Sequence, residues 1–289
     1  MFYFLYNNAV IPARILMIGD VVGEPGLAIL ERKLPGLIAE YGADLTVVNG
    51  ENAAAGFGLN EGCLRRILGA GADVITTGNH VWEKREFWPL LDTEERLLRP
   101  ANYPGGNPGR GWIRLEKGGA SYLVINLQGR EYMTPIDCPF TVFDFIMESL
   151  RTGNSGKPEV DGGNRPMPPG GVLSLVDFHA ESTREKESLG YYLDGKVSMV
   201  AGTHTHVQTA DERILPKGTG YITDLGMTGI SSGVIGMDKT ICLNRVRNQV
   251  LYRMECAAAG PSAVEGILAE LDRDSGQALN LRRVRSFAG

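Results

Sequence analysis

Histidine and cysteine, the residues most often recruited for metal and redox chemistry, are scarce in this 289-residue chain, with four of each. Cys63, Cys138, Cys242 and Cys256 stand far apart and form no Cys-x-x-Cys pair. That excludes a zinc ribbon and a small disulfide framework, and fits reduced thiols in a cytoplasmic protein. Blocks of Lys or Arg are missing and the net charge is −5, which excludes an extended nucleic-acid-binding face. A small phosphorylated substrate needs only local positive charge, which metal ions can supply. No apolar run approaches the length of a membrane span, so no membrane partner is expected. The opening Met1–Tyr6 is apolar but lacks a basic region and is broken by Asn7 and Asn8, so it does not read as a signal peptide. Residues 1 to 12 read as a loose N-terminal extension joined at Pro12. Phosphate-loop and dinucleotide fingerprints are absent too. Gly229-Ile230-Ser231-Ser232-Gly233 matches a nucleophile elbow, but no histidine follows Ser231, which excludes that hydrolase class.

What is present is ample core material: 43% of the residues are hydrophobic, enough for one α/β domain over 1–289. Arg14–Ile18 reads as a buried strand, and Leu27–Tyr41 as a helix with Pro35 inside it. Asp44–Asn49 and Asp73–Thr77 are further strands. Asn60 caps a helix to Leu68, and another helix is expected over Trp82–Leu91. Trp112–Glu116 and Tyr122–Leu127 read as a hairpin. Phe140–Leu150 reads as a helix, Val172–Val176 as a strand, and a helix starts at Thr183. Residues 151 to 171 are rich in Gly, Pro, Asn and Ser and read as a long surface loop. Gly226–Gly236 reads as a glycine-studded loop. Val250–Glu255, Val264–Leu271 and Ala278–Val284 read as antiparallel strands closing a second sheet. Strand-helix alternation of this kind implies parallel strands covered by helices, with ligands beyond the carboxyl ends of the strands.

The histidines fall at those ends. His204 and His206 follow the apolar run Val197–Ala201, and two imidazoles at i, i+2 converge on one point only where the backbone is irregular. His80 and His179 also follow short apolar runs. Collected, the strand ends present Asp20, Glu51, Asn52, Asn79, His80, His179, His204 and His206. Each has a bland reading: Asp20 as a helix cap, the asparagines as turn residues, His179 as a core histidine. As an ordered set they fit a metal centre, and mixed oxygen and imidazole donors suit Fe, Mn or Zn. The donors are too many for one tetrahedral ion, so two divalent ions are expected. Two ions about 3.5–4 Å apart, bridged by a carboxylate and a hydroxide, hold the attacking and leaving oxygens of an in-line displacement at phosphorus. Arg130 and Lys217 are cations available to a substrate, although solvation is the default for both.

These runs carry a resemblance. Ile18–Gly23, Asn49–Ala54, Gly78-Asn79-His80, His179 and Thr203–Asp211 resemble the calcineurin-like metallophosphoesterases, and within them the bacterial YmdB-type branch. The superfamily's usual Asp-x-His opening is here Asp20-Val21-Val22, and the branch resemblance implies that Asn52 fills the gap. It further implies one metal held by Asp20, Glu51, Asn52 and His206 and a second by Glu51, Asn79, His179 and His204, with Glu51 bridging. His80 is then the general acid for the leaving oxygen. The implied fold is an α/β sandwich of two mixed sheets flanked by helices. The implied metals are Fe or Mn foremost, with Zn accepted. The implied activity is hydrolysis of small cyclic nucleotides, 2′,3′-cyclic ones first. A phosphomonoesterase or nuclease with the same centre, and a metal-containing regulatory protein with incidental turnover, are the alternatives; assembly into a homo-oligomer stays open.

Overall fold

A computed structural model describes residues 11–152 and 171–288. The expected extension, apart from Ile11 and Pro12, and nearly all of the expected 151–171 loop therefore lie outside the described residues. Arg151 and Thr152 are the last residues of a helix.

The first sheet grows from β1 (Ala13–Ile18), which pairs in parallel with β3 (Leu45–Asn49); β4 (Val74–Thr76) and β5 (Leu97–Leu98) continue outward in parallel. On its other side β1 pairs antiparallel with β13 (Ser262–Leu271), which also carries β14 (Ala278–Phe287) and β12 (Met227–Ile230). The two-residue β2 (Asp20–Val21) joins the edge beside β12, making eight strands. The second sheet has six, in the order β10 (Arg213–Ile214), β11 (Gly220–Ile222), β9 (Met199–Thr203), β8 (Val172–His179), β7 (Ala120–Gln128) and β6 (Trp112–Lys117). Both sheets are mixed, as the resemblance implied, and β6 with β7 is the expected hairpin.

Helices α1 (Gly23–Tyr41) and α2 (Glu61–Gly69) contribute to the core layer outside the first sheet. Helices α4 (Pro139–Thr152) and α5 (Thr183–Leu193) do the same for the second. Between the sheets lies a third layer. Strand periodicity sorts residues among these layers: in β1, Ile15 and Met17 face the other sheet while Leu16 and Ile18 face the helices. A strand apolar on both faces is buried on both.

Several expectations need correction. Helix α1 begins four residues before Leu27, because Pro25 in its first turn forfeits an N–H that no helix would use. The helix expected over Trp82–Leu91 is instead a 3-10 turn, Arg85–Phe87, followed by α3 (Trp88–Thr93), whose first turn holds Pro89, where its missing N–H costs no helical hydrogen bond. The loop expected over Gly226–Gly236 contains β12, and α6 (Lys239–Asn248) follows it unanticipated. Val250–Glu255 is no strand: the carbonyl of Tyr252 is taken by Arg245 of α6 rather than by a sheet neighbour. The closing strands β13 and β14 enter the first sheet, not the second, because β13 runs its length against β1.

Candidate metal centre

The layer between the sheets is apolar along most of its length and turns polar at the carboxyl ends. In β8 the alternate residues Leu173 and Leu175 are packed there, and the same face continues as Asp177 and His179. In β3 Leu45 and Val47 lead to Asn49, in β4 Val74 leads to Thr76, and in β9 Met199 and Ala201 lead to Thr203. These ends meet at Asp177. Its carboxylate accepts from Asn49 Nδ2 at 3.0 Å, Thr76 Oγ1 at 2.5 Å and Thr203 Oγ1 at 2.6 Å. Burial pushes Asp177 up to about 6, against the lowering effect of the two hydroxyls. The expected residue set did not include Asp177, although it sits two positions before His179 on the same strand face.

All eight expected residues come together just beyond this hub. His179 Nε2 lies 2.8 Å from Glu51 Oε1, 3.0 Å from His204 Nδ1 and 3.1 Å from Asn79 Oδ1. Asn52 Nδ2 lies 3.0 Å from His206 Nε2, 3.4 Å from Asp20 Oδ1 and 3.5 Å from Glu51 Oε1. Glu51 therefore touches both groups. His80 donates its backbone N–H to Glu51 Oε2 at 3.2 Å and keeps its ring at the cavity wall. Asp20 does not cap α1, whose N-cap is Val22 with no side-chain hydrogen bond; its Oδ2 instead accepts from His204 N–H at 3.2 Å. The irregular backbone expected at His-x-His is present, with φ of 99° at His204 and 64° at His206.

The imidazole protons of these residues are committed away from the centre. The hydroxyl of Thr203 already donates to Asp177, so it accepts from His179 Nδ1–H at 3.0 Å. His204 Nε2 is tied to Glu181 Oε2 at 3.2 Å, and His206 Nδ1–H donates to the carbonyl of Ile235 at 2.8 Å. These three imidazoles are thus held by their outer nitrogens, and the inner one of His179 faces Glu51 and Asn79, that of His206 faces Asn52, and that of His204 faces His179. One N–H cannot satisfy Glu51, Asn79 and His204 together, so the centre has a surplus of lone pairs, and a cation is what they fit. The field agrees. Burial alone would lower His179, yet Glu51, Asp20 and Asp177 raise it to about 9. Burial alone would raise Glu51, yet His179 holds it at about 2. Burial and the neighbouring His179 lower His204 to about 3, and burial raises Asp20. Glu51, His179 and His204 have donor atoms all within 4.8 Å of one another.

Close approach requires glycine at Gly78, where a Cβ would sit 2.1 Å from His179 Cδ2 and 2.3 Å from Glu51 Oε2. The centre opens into a cavity of about 450 Å³ whose lining includes Arg245 but neither Arg130 nor Lys217. Arg130 instead reaches Cys138, and the backbone N–H of Lys217 donates to Asp194. Among the described residues no helix is long and apolar enough to cross a membrane.

Known proteins bear on this site. A 2′,3′-cyclic-nucleotide 2′-phosphodiesterase of Bacillus subtilis is 42% identical over 271 residues, covering 94% of this chain and 96% of its own length. A crystal structure of a novel phosphatase from Mycoplasma pneumoniae superposes with a TM-score of 0.84 at 30% identity, covering 96% of this chain and 94% of that one. A hypothetical protein from Thermus thermophilus superposes with a TM-score of 0.82 at 38% identity, covering 96% and 100%. The model of the YmdB-like protein family matches residues 16–284, and the chain belongs to that family.

Proposed function

We propose that this protein hydrolyses small cyclic phosphodiesters, 2′,3′-cyclic nucleotides foremost, at a centre of two divalent metal ions. Asp20, Glu51, Asn52 and His206 would hold one ion, and Glu51, Asn79, His179 and His204 the other, with Fe or Mn the first candidates and Zn the next. The observation that carries the reading is the set of three imidazoles, each fixed by its outer nitrogen, with His179 turned to Glu51 and Asn79, His206 to Asn52 and His204 to His179. The 42% identity to the Bacillus phosphodiesterase supports the substrate class.

Two divalent cations would supply Lewis-acid stabilisation of the charge that builds on the phosphoryl oxygens. The chain does the rest. Glu51 belongs to both ligand sets and so keeps them in register. Asp177 and Thr203 orient His179 without reaching the substrate. His80 lies at the cavity wall with Nδ1 3.3 Å from Glu83 Oε1, which leaves Nε2 to pass a proton to the leaving oxygen.

The test pairs elemental analysis of anaerobically purified protein with a panel of cyclic diesters, linear diesters and monoesters. We expect two metals per chain and turnover of cyclic diesters above the rest. His80→Ala should keep both metals and lose about 10²–10⁴-fold in turnover. Unchanged turnover would remove His80 from its role, and a metal-loaded protein with no phosphoesterase activity would sink the reading. The Mycoplasma phosphatase gives a second reading, monoester hydrolysis, which the same panel separates.

A further inference from the structure

Of the metal-ligand residues, Glu51, Asn52, His204 and His206 line the cavity. The same lining includes Phe57, Ile235, Met237, Val246 and Met254, together with Arg245. A site that had only to hold phosphate would need polar donors there, and this wall has one aromatic ring and two thioethers. Ile235 and Val246 are 47% and 73% exposed, apolar side chains held open to solvent beside a polar centre. We propose that this wall is a nucleobase slot: a flat heteroaromatic ring of the substrate lies against Phe57 and Met254 while the phosphodiester faces His80 and the metal ligands. The slot rests on the reading that the phosphodiester binds at the metal centre.

The backbone is built to present these two side chains. Gly56 and Gly58, with φ of 89° and 78°, bracket Phe57, so the chain turns through left-handed conformations on both sides and delivers the ring to the cavity. Phe57 then stands edge-on to His80, ring centroids 5.0 Å apart, which places the slot next to the proposed proton donor. Met254 is fixed by its neighbours: Arg245 Nη1 donates to the carbonyl of Tyr252 at 2.8 Å, and Asp238 N–H to the carbonyl of Glu255 at 2.8 Å. Cys256 bridges back to Met237. This strap seats a polarizable thioether in the same cavity lining as an aromatic ring, and both kinds of surface take any planar π-system.

The experiment compares adenosine 2′,3′-cyclic phosphate with ribose 2′,3′-cyclic phosphate, identical at the reacting centre but lacking the base. Wild-type protein should favour the nucleotide in kcat/KM by about tenfold or more. Met254→Ala should bring that ratio close to one by lowering the nucleotide value alone, and Met254→Leu should restore most of it. A wild-type ratio near one, or equal losses on both substrates in Met254→Ala, overturns the slot. If neither compound is hydrolysed, the proposed function has failed and the slot is judged separately by calorimetric titration with adenosine. Binding that weakens about tenfold in Met254→Ala then upholds it, and no binding to the wild type overturns it.

Discussion

Gly78 shows how a single missing carbon can decide whether a site exists. Its α-carbon passes so close to His179 and Glu51 that an added methyl would overlap both, and neither is a flexible side-chain end free to swing away. Both are fully buried and held by Thr203 and the His80 backbone. Gly78→Ala should therefore fold, because the clash is local, and yet bind metal at least tenfold more weakly, as metal titration followed by elemental analysis would show. A variant with wild-type metal content would mean that the ligands tolerate displacement. The expected ligand residues were legible because each is a polar residue following an apolar run. Asp177, Glu181 and Ile235 were not. Asp177 shares a strand face with His179, a signal present in the sequence, whereas Glu181 and the carbonyl of Ile235 reach the imidazoles only through folding.

At the scale of elements, the turn after β9 is strained. Positive φ at His204 and His206 costs on the order of 1–3 kcal/mol each for residues with a Cβ, so something must hold the turn. Between them, Thr205 donates its N–H at 3.1 Å and its hydroxyl at 2.7 Å to Asp224, which is paired with Lys186 of α5 at 2.7 Å. Both members of the pair are buried, 1% and 0% exposed. Lys186→Met would strand a buried carboxylate and should destabilise the protein by about 3–5 kcal/mol. The double variant Lys186→Met, Asp224→Leu should regain most of that stability in denaturant unfolding, yet bind metal poorly because Thr205 has lost its anchor. If the double variant binds metal like the wild type, the pair serves stability alone and does not position the histidines. Helix positions elsewhere followed local signals well: Asn60 and Ser182 cap α2 and α5 through their side chains. Helix α6 gave a weaker signal, with Cys242 its one buried residue, and the segment after it reads as a strand only because Val250, Leu251 and Tyr252 are β-formers without a partner.

Across the whole molecule, the centre stitches two sheets together. Glu51, Asn52 and Asn79 follow strands of the first sheet, and His179, His204 and His206 end or follow strands of the second. An ion bound to both binds the folded arrangement and not the unfolded chain, so loading should stabilise by about 2.7 kcal/mol at a hundredfold excess over Kd. Chelation should accordingly lower Tm by about 4–5 °C in calorimetry, and re-adding metal should restore it. An unchanged Tm would argue against ligands shared between the sheets.

Sequence alone determined that strands alternate with helices and that their carboxyl ends carry imidazoles, carboxylates and amides, because apolar runs, caps and polar strand ends are local properties of the chain. Only the tertiary structure decided that β13 lies beside β1, that Asp177 gathers three strand ends, and that Phe57 and Met254 wall the same cavity. Those pairings join residues far apart in the chain, and which distant surfaces meet depends on the packing of the whole core, which no single stretch encodes.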